Sequence, residues 1–191
     1  MNQKELIDDE TSRQQIEQAY IILARALYSF EVYRNVNEYF KKERPLRNTI
    51  EEELWSHIAN DCLQMGIIQW TKVFGAESNN QLHYTNWICQ RELVFRLKEK
   101  GVDAKKVYEE MTRFRNKYVA HKDVKTVVVP NLEGPIQTIY VFGSAMRERY
   151  EMEWLSEEFW NLESIHEAYQ LRIQGELEAL GYNGTRYLFV K

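Results

Sequence analysis

The residues best suited to chemistry lie in one short run, Arg113-Phe114-Arg115-Asn116-Lys117-Tyr118-Val119-Ala120-His121-Lys122-Asp123. It gathers an imidazole, two guanidiniums, two ammoniums and a side-chain amide within eleven residues. An unperturbed histidine titrates near pH 6.5, so His121 can give or take a proton at neutral pH. A guanidinium offers a planar fork that matches a phosphate. Between Met111 and Thr126 five cations stand against Asp123 alone, whereas Arg147 to Glu178 holds nine glutamates against three arginines. The formal net charge is −4. Attraction for nucleic acid is therefore confined to local patches such as this run. Taken alone, the same residues also suit an ordinary helix end, where His121 and Lys122 would favour the dipole and Arg115 would pair with a neighbouring acid.

Other constellations are weaker. Glu163-Ser-Ile-His166 has the Glu-x-x-His spacing of carboxylate di-iron bundles, but such sites need two copies and the chain holds one. It reads as an exposed helical pair. His57 and Asp61 are one turn apart, which by itself is no metal site. There is no Cys-x-x-Cys, no glycine-rich phosphate loop and no serine elbow. No metal or other cofactor is expected.

The elements that must carry the run follow from pattern and punctuation. With 44% hydrophobic residues in 191, the chain can bury a sizeable core, and 8 Gly and 3 Pro are too few for a many-turned β fold. Ser12 and Gln15 predict a capping box before the stripe Ile16, Tyr20, Leu23, Leu27, Phe30. Pro45 ends that helix. Thr49 and Glu52 open a second, with the stripe Ile50, Leu54, Ile58, Cys62, Met65, running to about Phe74. A third is expected from Thr85 to Lys100, stopping at Gly101. A fourth is capped by Asp103 and ends near His121 or Lys122. Val124 to Pro130 reads as extended. Asn131 caps a fifth helix to about Trp154, and Ser156 opens a sixth that ends at Gly181. The expectation is an all-α bundle of four to six helices, one domain over residues 1–191, with its core over about 12–155 and a C-terminal helix and tail over 156–191.

On a wheel of about 100° per residue, Val107, Met111, Phe114 and Tyr118 form an apolar face whose centre lies about 60° from Arg115. Arg115 sits at one edge of this face and His121 near the other, while Asn116 points to the open side. Residues six apart differ by about 120° in direction, so one straight helix cannot bring Arg115 and His121 tightly together. A long arginine reaching across, or a second copy of the helix, is needed.

The segment resembles the signature of the HEPN superfamily: an Arg, commonly followed by Asn, Asp or His, and a His after four to six further residues, near the end of a core helix in a helical bundle. Arg115, Asn116 and His121 match it with five residues between Arg and His. The wording RNKYVAHKD, and the upstream Trp70-Thr-Lys-Val-Phe-Gly75 followed by a polar loop and His83, is similar to the abortive-infection branch. The resemblance spans roughly Ser12 to Trp154. It implies a metal-independent endoribonuclease of the toxin or phage-defence type. It also implies a homodimer through the helix around 103–122, with two motif copies in one composite cleft. In that cleft His121 would move the proton of a ribose 2′-OH or of the leaving 5′-oxygen. Arg115 would hold the phosphate, and Asn116 would orient His121 or bond a phosphate oxygen. Arg113, Lys117 and Lys122 would attract the RNA. An antitoxin protein is an implied partner. Asp123 stands where some toxin members carry a tyrosine that a nucleotidyltransferase modifies, so the resemblance does not extend to that kind of antitoxin.

Many members of the superfamily are catalytically silent, so a non-catalytic module binding RNA, nucleotide or a protein partner is the alternative, and a purely structural helical protein a third reading. The N-terminus MNQKELIDDE lacks the apolar core of a signal peptide, and no stretch approaches the roughly 20 apolar residues of a membrane span. Cys62 and Cys89 each fall in an apolar helical pattern and are expected reduced and buried. A cytoplasmic protein with no membrane contact is the expectation.

Overall fold

The computed structural model describes residues 5–7, 9–42, 50–76, 79–119, 128–152, 154–155 and 161–179. Within these residues the chain is all-helical and has no β-strand, as composition and pattern predict. The six α-helices among the described residues are α1 (Glu10–Lys42), α2 (Ile50–Phe74), α3 (Gln90–Glu99), α4 (Ala104–Phe114), α5 (Glu133–Arg149) and α6 (Leu162–Ala179).

The long antiparallel pair α1 and α2 forms the spine. Ile16, Tyr20, Leu23, Leu27 and Phe30 are fully buried, the stripe expected of α1. Its cap is Asp9 rather than Ser12: Asp9 Oδ1 accepts the Ser12 amide at 2.8 Å. The expected stripe of α2 faces outward instead, with Leu54, Ile58 and Met65 at 56%, 36% and 48% exposure. The helix buries Ala59, Leu63, Ile67, Trp70 and Phe74. It carries two apolar rows, and the close approach to α1 selects the row that contains Gly66. A Cβ on Gly66 would lie 2.6 Å from the Phe30 ring. Both cysteines depart from expectation, Cys62 being half-buried and Cys89 exposed.

Long-range contacts also move two helix ends. The expected third helix is broken into a single 3₁₀ turn, Tyr84–Asn86, and α3. The Trp87 carbonyl between them accepts from Arg149 Nη1 at 2.9 Å and the Tyr150 hydroxyl at 3.1 Å, so it is lost to a continuous helical ladder. The fifth helix stops at Arg149, short of Trp154. Tyr150 turns extended, and the Arg149 carbonyl accepts the Glu5 amide at 2.8 Å in an isolated bridge. Elsewhere local signals hold. Gly101, at φ 73°, ends α3 with the Val102 amide donating to Leu97 O at 2.9 Å, a Schellman closure. Asn131 Oδ1 takes the Glu133 amide at 3.0 Å at the start of α5. The last helix opens at Asn161, whose Oδ1 accepts the Glu163 amide at 3.2 Å; residues 156–160 lie outside the described set. Leu162 of α6 belongs to the same core as α1 and α5. Of the segment 124–130 only 128–130 are described, in no regular element, with Val128 89% exposed.

Candidate functional site

Helix α4 leads into the motif, and its position is set by its cap and by its buried face. Asp103 Oδ1 accepts the Lys105 and Lys106 amides at 3.0 and 3.1 Å, the expected cap. Val107, Met111 and Phe114 are buried, so the predicted apolar face is the one that docks. Gly134 lets α5 pack directly on it, since a Cβ there would lie 2.4 Å from Val107 Cγ2.

At Arg115 the helix widens into a π-turn, Arg115–Val119. Such turns are rare and frequent at functional sites, because the wider ring re-aims successive side chains. Arg115 is half-buried, at the edge of the apolar face, while Arg113, Asn116 and Lys117 are exposed. Arg115 and Asn116 are brought together: Arg115 Nε and Nη2 both donate to Asn116 Oδ1, at 3.0 and 2.8 Å. Two of the five guanidinium N–H donors thus hold the fork against its neighbour, and the others can meet an anion. Arg113 lies two residues earlier, about 200° away around the helix, and does not share this contact. His121 and Lys122 lie outside the described residues.

His83, matched in the upstream resemblance, is 4% exposed and internally bonded. Its Nε2–H donates to the Gly75 carbonyl at 3.0 Å, and Nδ1 accepts from the Thr85 hydroxyl at 2.7 Å. It pins the loop after α2.

A second ionisable cluster escaped the sequence reading. Glu163 is exposed, but His166 is 1% exposed and not part of a surface pair. Its Nε2–H donates to Glu31 Oε1 at 2.8 Å, and its Nδ1 is hydrogen-bonded with the Tyr140 hydroxyl. Glu31, 3% exposed, also accepts from Arg34 Nη1 at 3.1 Å and Asn35 Nδ2 at 3.2 Å. Burial pushes the Glu31 carboxyl up, but the hydrogen bond and charge of His166, with Arg34, pull it further down, to a net value below the ordinary one. Burial, with the negative charge of surrounding glutamates, pushes the Tyr140 phenol well up, so its proton stays in place. With His166 and Glu31 buried this deeply, the triad ties α1, α5 and α6 together rather than meeting a substrate. A signal was present: Leu162, His166 and Ile173 share one helical row, as do Leu27 and Glu31. A charge within a buried row needs a partner.

Among the described residues no three His, Cys, Asp or Glu side chains converge as a metal site requires, and no helix is long and apolar enough to cross a membrane. No family model, curated protein or solved structure matches the chain.

Proposed function

We propose that this chain is a metal-independent endoribonuclease of the toxin or abortive-infection type, cytoplasmic, HEPN-like, and acting at the C-terminal end of α4. The observation that carries the reading is the π-turn at Arg115–Val119, on the segment whose residue types suit phosphate chemistry, with the Arg115 fork set against Asn116. In this reading two copies of the 103–122 helix face each other across a two-fold axis. His121 takes the proton of a ribose 2′-OH, O2′ bonds to phosphorus, and the P–O5′ bond breaks. The second copy's imidazolium returns a proton to the 5′-oxygen. Arg115 meets the charge that develops on the phosphate. Arg113, Lys117 and Lys122 attract the strand, and an antitoxin protein would hold the cleft in check.

The Arg115–Asn116 hydrogen bonds also favour a second reading. An arginine already engaged through Nε and Nη2 suits a non-catalytic module that binds RNA, nucleotide or a protein partner. Cleavage separates the two. The purified chain is incubated with total RNA in EDTA beside His121→Ala and Arg115→Lys. The expected products end in a 2′,3′-cyclic phosphate, and His121→Ala loses about 10²–10⁴-fold in rate. Arg115→Lys keeps the charge but loses the fork, and is impaired as well. Normal cutting of RNA whose 2′-OH is replaced by hydrogen, or full activity in His121→Ala, refutes the nuclease reading.

A further inference from the structure

A cavity of about 940 Å³ lies between the end of α2, the face of α3 and the first half of α4. That is the upper range for a small-molecule site, about 300–1,000 Å³. Its floor is buried and largely apolar, formed by Trp70, Phe74, Tyr84, Leu93, Leu97 and Val107. The other polar groups of the floor are engaged inside the protein. Both His83 nitrogens are bonded to Gly75 and Thr85, and the Thr138 hydroxyl donates to the Gly134 carbonyl at 2.9 Å. Trp70 differs. Its indole Nε1–H is buried and has no acceptor among the described residues.

The rim has another character. Lys98 and Lys105 are exposed there; Lys105 pairs with Glu109 at 3.9 Å, and the carboxylate of the lining, Asp103, is engaged in capping α4. Val94 and Tyr108, 44% and 41% exposed, add an apolar lip. The cavity thus combines an apolar interior with a rim that carries Lys98 and Lys105.

We propose that this cavity binds a small amphiphilic monoanion: an aromatic or alicyclic body that lies on the apolar floor, and a carboxylate or sulfonate that meets Lys98 with Lys105 beside it. A polyanion such as a nucleotide fits poorly. Its phosphates and ribose hydroxyls would lie against Phe74, Leu93 and Leu97, where no cation or donor answers them. The site is distinct from the Arg115 motif, about 15 Å further along α4 at about 1.5 Å per residue. The proposal stands or falls independently of any action on RNA.

The test uses the full chain and 1-anilinonaphthalene-8-sulfonate, a fused aromatic body with one sulfonate, titrated by calorimetry and fluorescence at low ionic strength. Saturable one-to-one binding is expected. The Trp70 indole N–H resonance, assigned by its disappearance in Trp70→Phe, should shift on addition of the probe. Lys98→Glu changes an exposed residue and leaves folding intact, so its effect on binding is interpretable even if Trp70→Phe folds poorly. It should weaken the probe about tenfold or more at low ionic strength, and Val94→Asp should weaken it through the lip. Non-saturable binding, equal affinity in Lys98→Glu and Val94→Asp, or an unmoved Trp70 resonance would overturn the proposal. So would displacement of the probe by ATP at lower concentration than by naphthalene-1-acetate.

Discussion

Replacing His166 by alanine should be among the most damaging single changes in the bundle. The imidazole is 1% exposed and bonds Glu31 at 2.8 Å, so its removal leaves a carboxylate that is 3% exposed without its nearest donor. Leaving a buried carboxylate uncompensated costs about 3–5 kcal/mol. Arg34 and Asn35 still donate to Glu31, at 3.1 and 3.2 Å, and soften that loss. The hole left by the ring and the unmet Tyr140 hydroxyl work the other way, through a cavity term of about 24 cal/mol per Å³ and an orphaned polar group. A net loss of about 3 kcal/mol follows, against a total stability of about 5–15 kcal/mol. For a chain of this length each 1 kcal/mol shifts Tm by about 2–4 °C, so the midpoint should fall by about 6–12 °C. Urea unfolding followed by circular dichroism gives the free energy directly, and a cycle with Glu31→Ala isolates the coupling. The single losses should exceed what the double variant needs, with a coupling above about 1 kcal/mol. A loss under about 1 kcal/mol for His166→Ala, together with zero coupling, would refute the buried-pair argument.

Glu31, Tyr140 and the buried Tyr20 set a pH window. Glu31 titrates below its ordinary 4.5 in the folded state, so its contribution is present above that value and lost as pH falls through the folded one. Burial holds the Tyr20 and Tyr140 phenols above their ordinary 10.0; their contribution is complete below that value and lost as pH rises past it. Melts from pH 3 to 11 should show losses at both ends, and Tyr20→Phe with Tyr140→Phe should blunt the alkaline one; an unchanged alkaline limb counts against the assignment. Two glycine substitutions should act with opposite signs. Gly66→Ala forces a methyl to within 2.6 Å of the fully buried Phe30 ring, and overpacking of about 1–3 kcal/mol should outweigh the gain of about 1 kcal/mol in helix propensity. Gly175→Ala meets no atom within 4 Å and should stabilise by about 0.5–1 kcal/mol; paired thermal melts check both, and a stabilising Gly66→Ala would mean the α1–α2 approach is looser than described.

Local chemistry alone made much of this protein legible. The all-helical class, the span of α2, the Asp103 cap and the Gly101 stop all depend on residues within one turn of each other, so the sequence carries them whole. So does the identity of the Arg115-Asn116 run and its place beside the buried row of α4. Tertiary structure decided what depends on distant partners. Both apolar rows of α2 satisfy the helical period; only packing against Phe30 chooses between them. His166 looks like a surface residue until α1 brings Glu31 beside it, 135 positions away in the chain. The break before α3 and the early end of α5 arise because Arg149, Tyr150 and Glu5 capture backbone groups that a local reading assigns to continuous helices. The π-turn at Arg115–Val119 is of this kind too: no glycine or proline announces it, and where a helix widens depends on how its buried face is held.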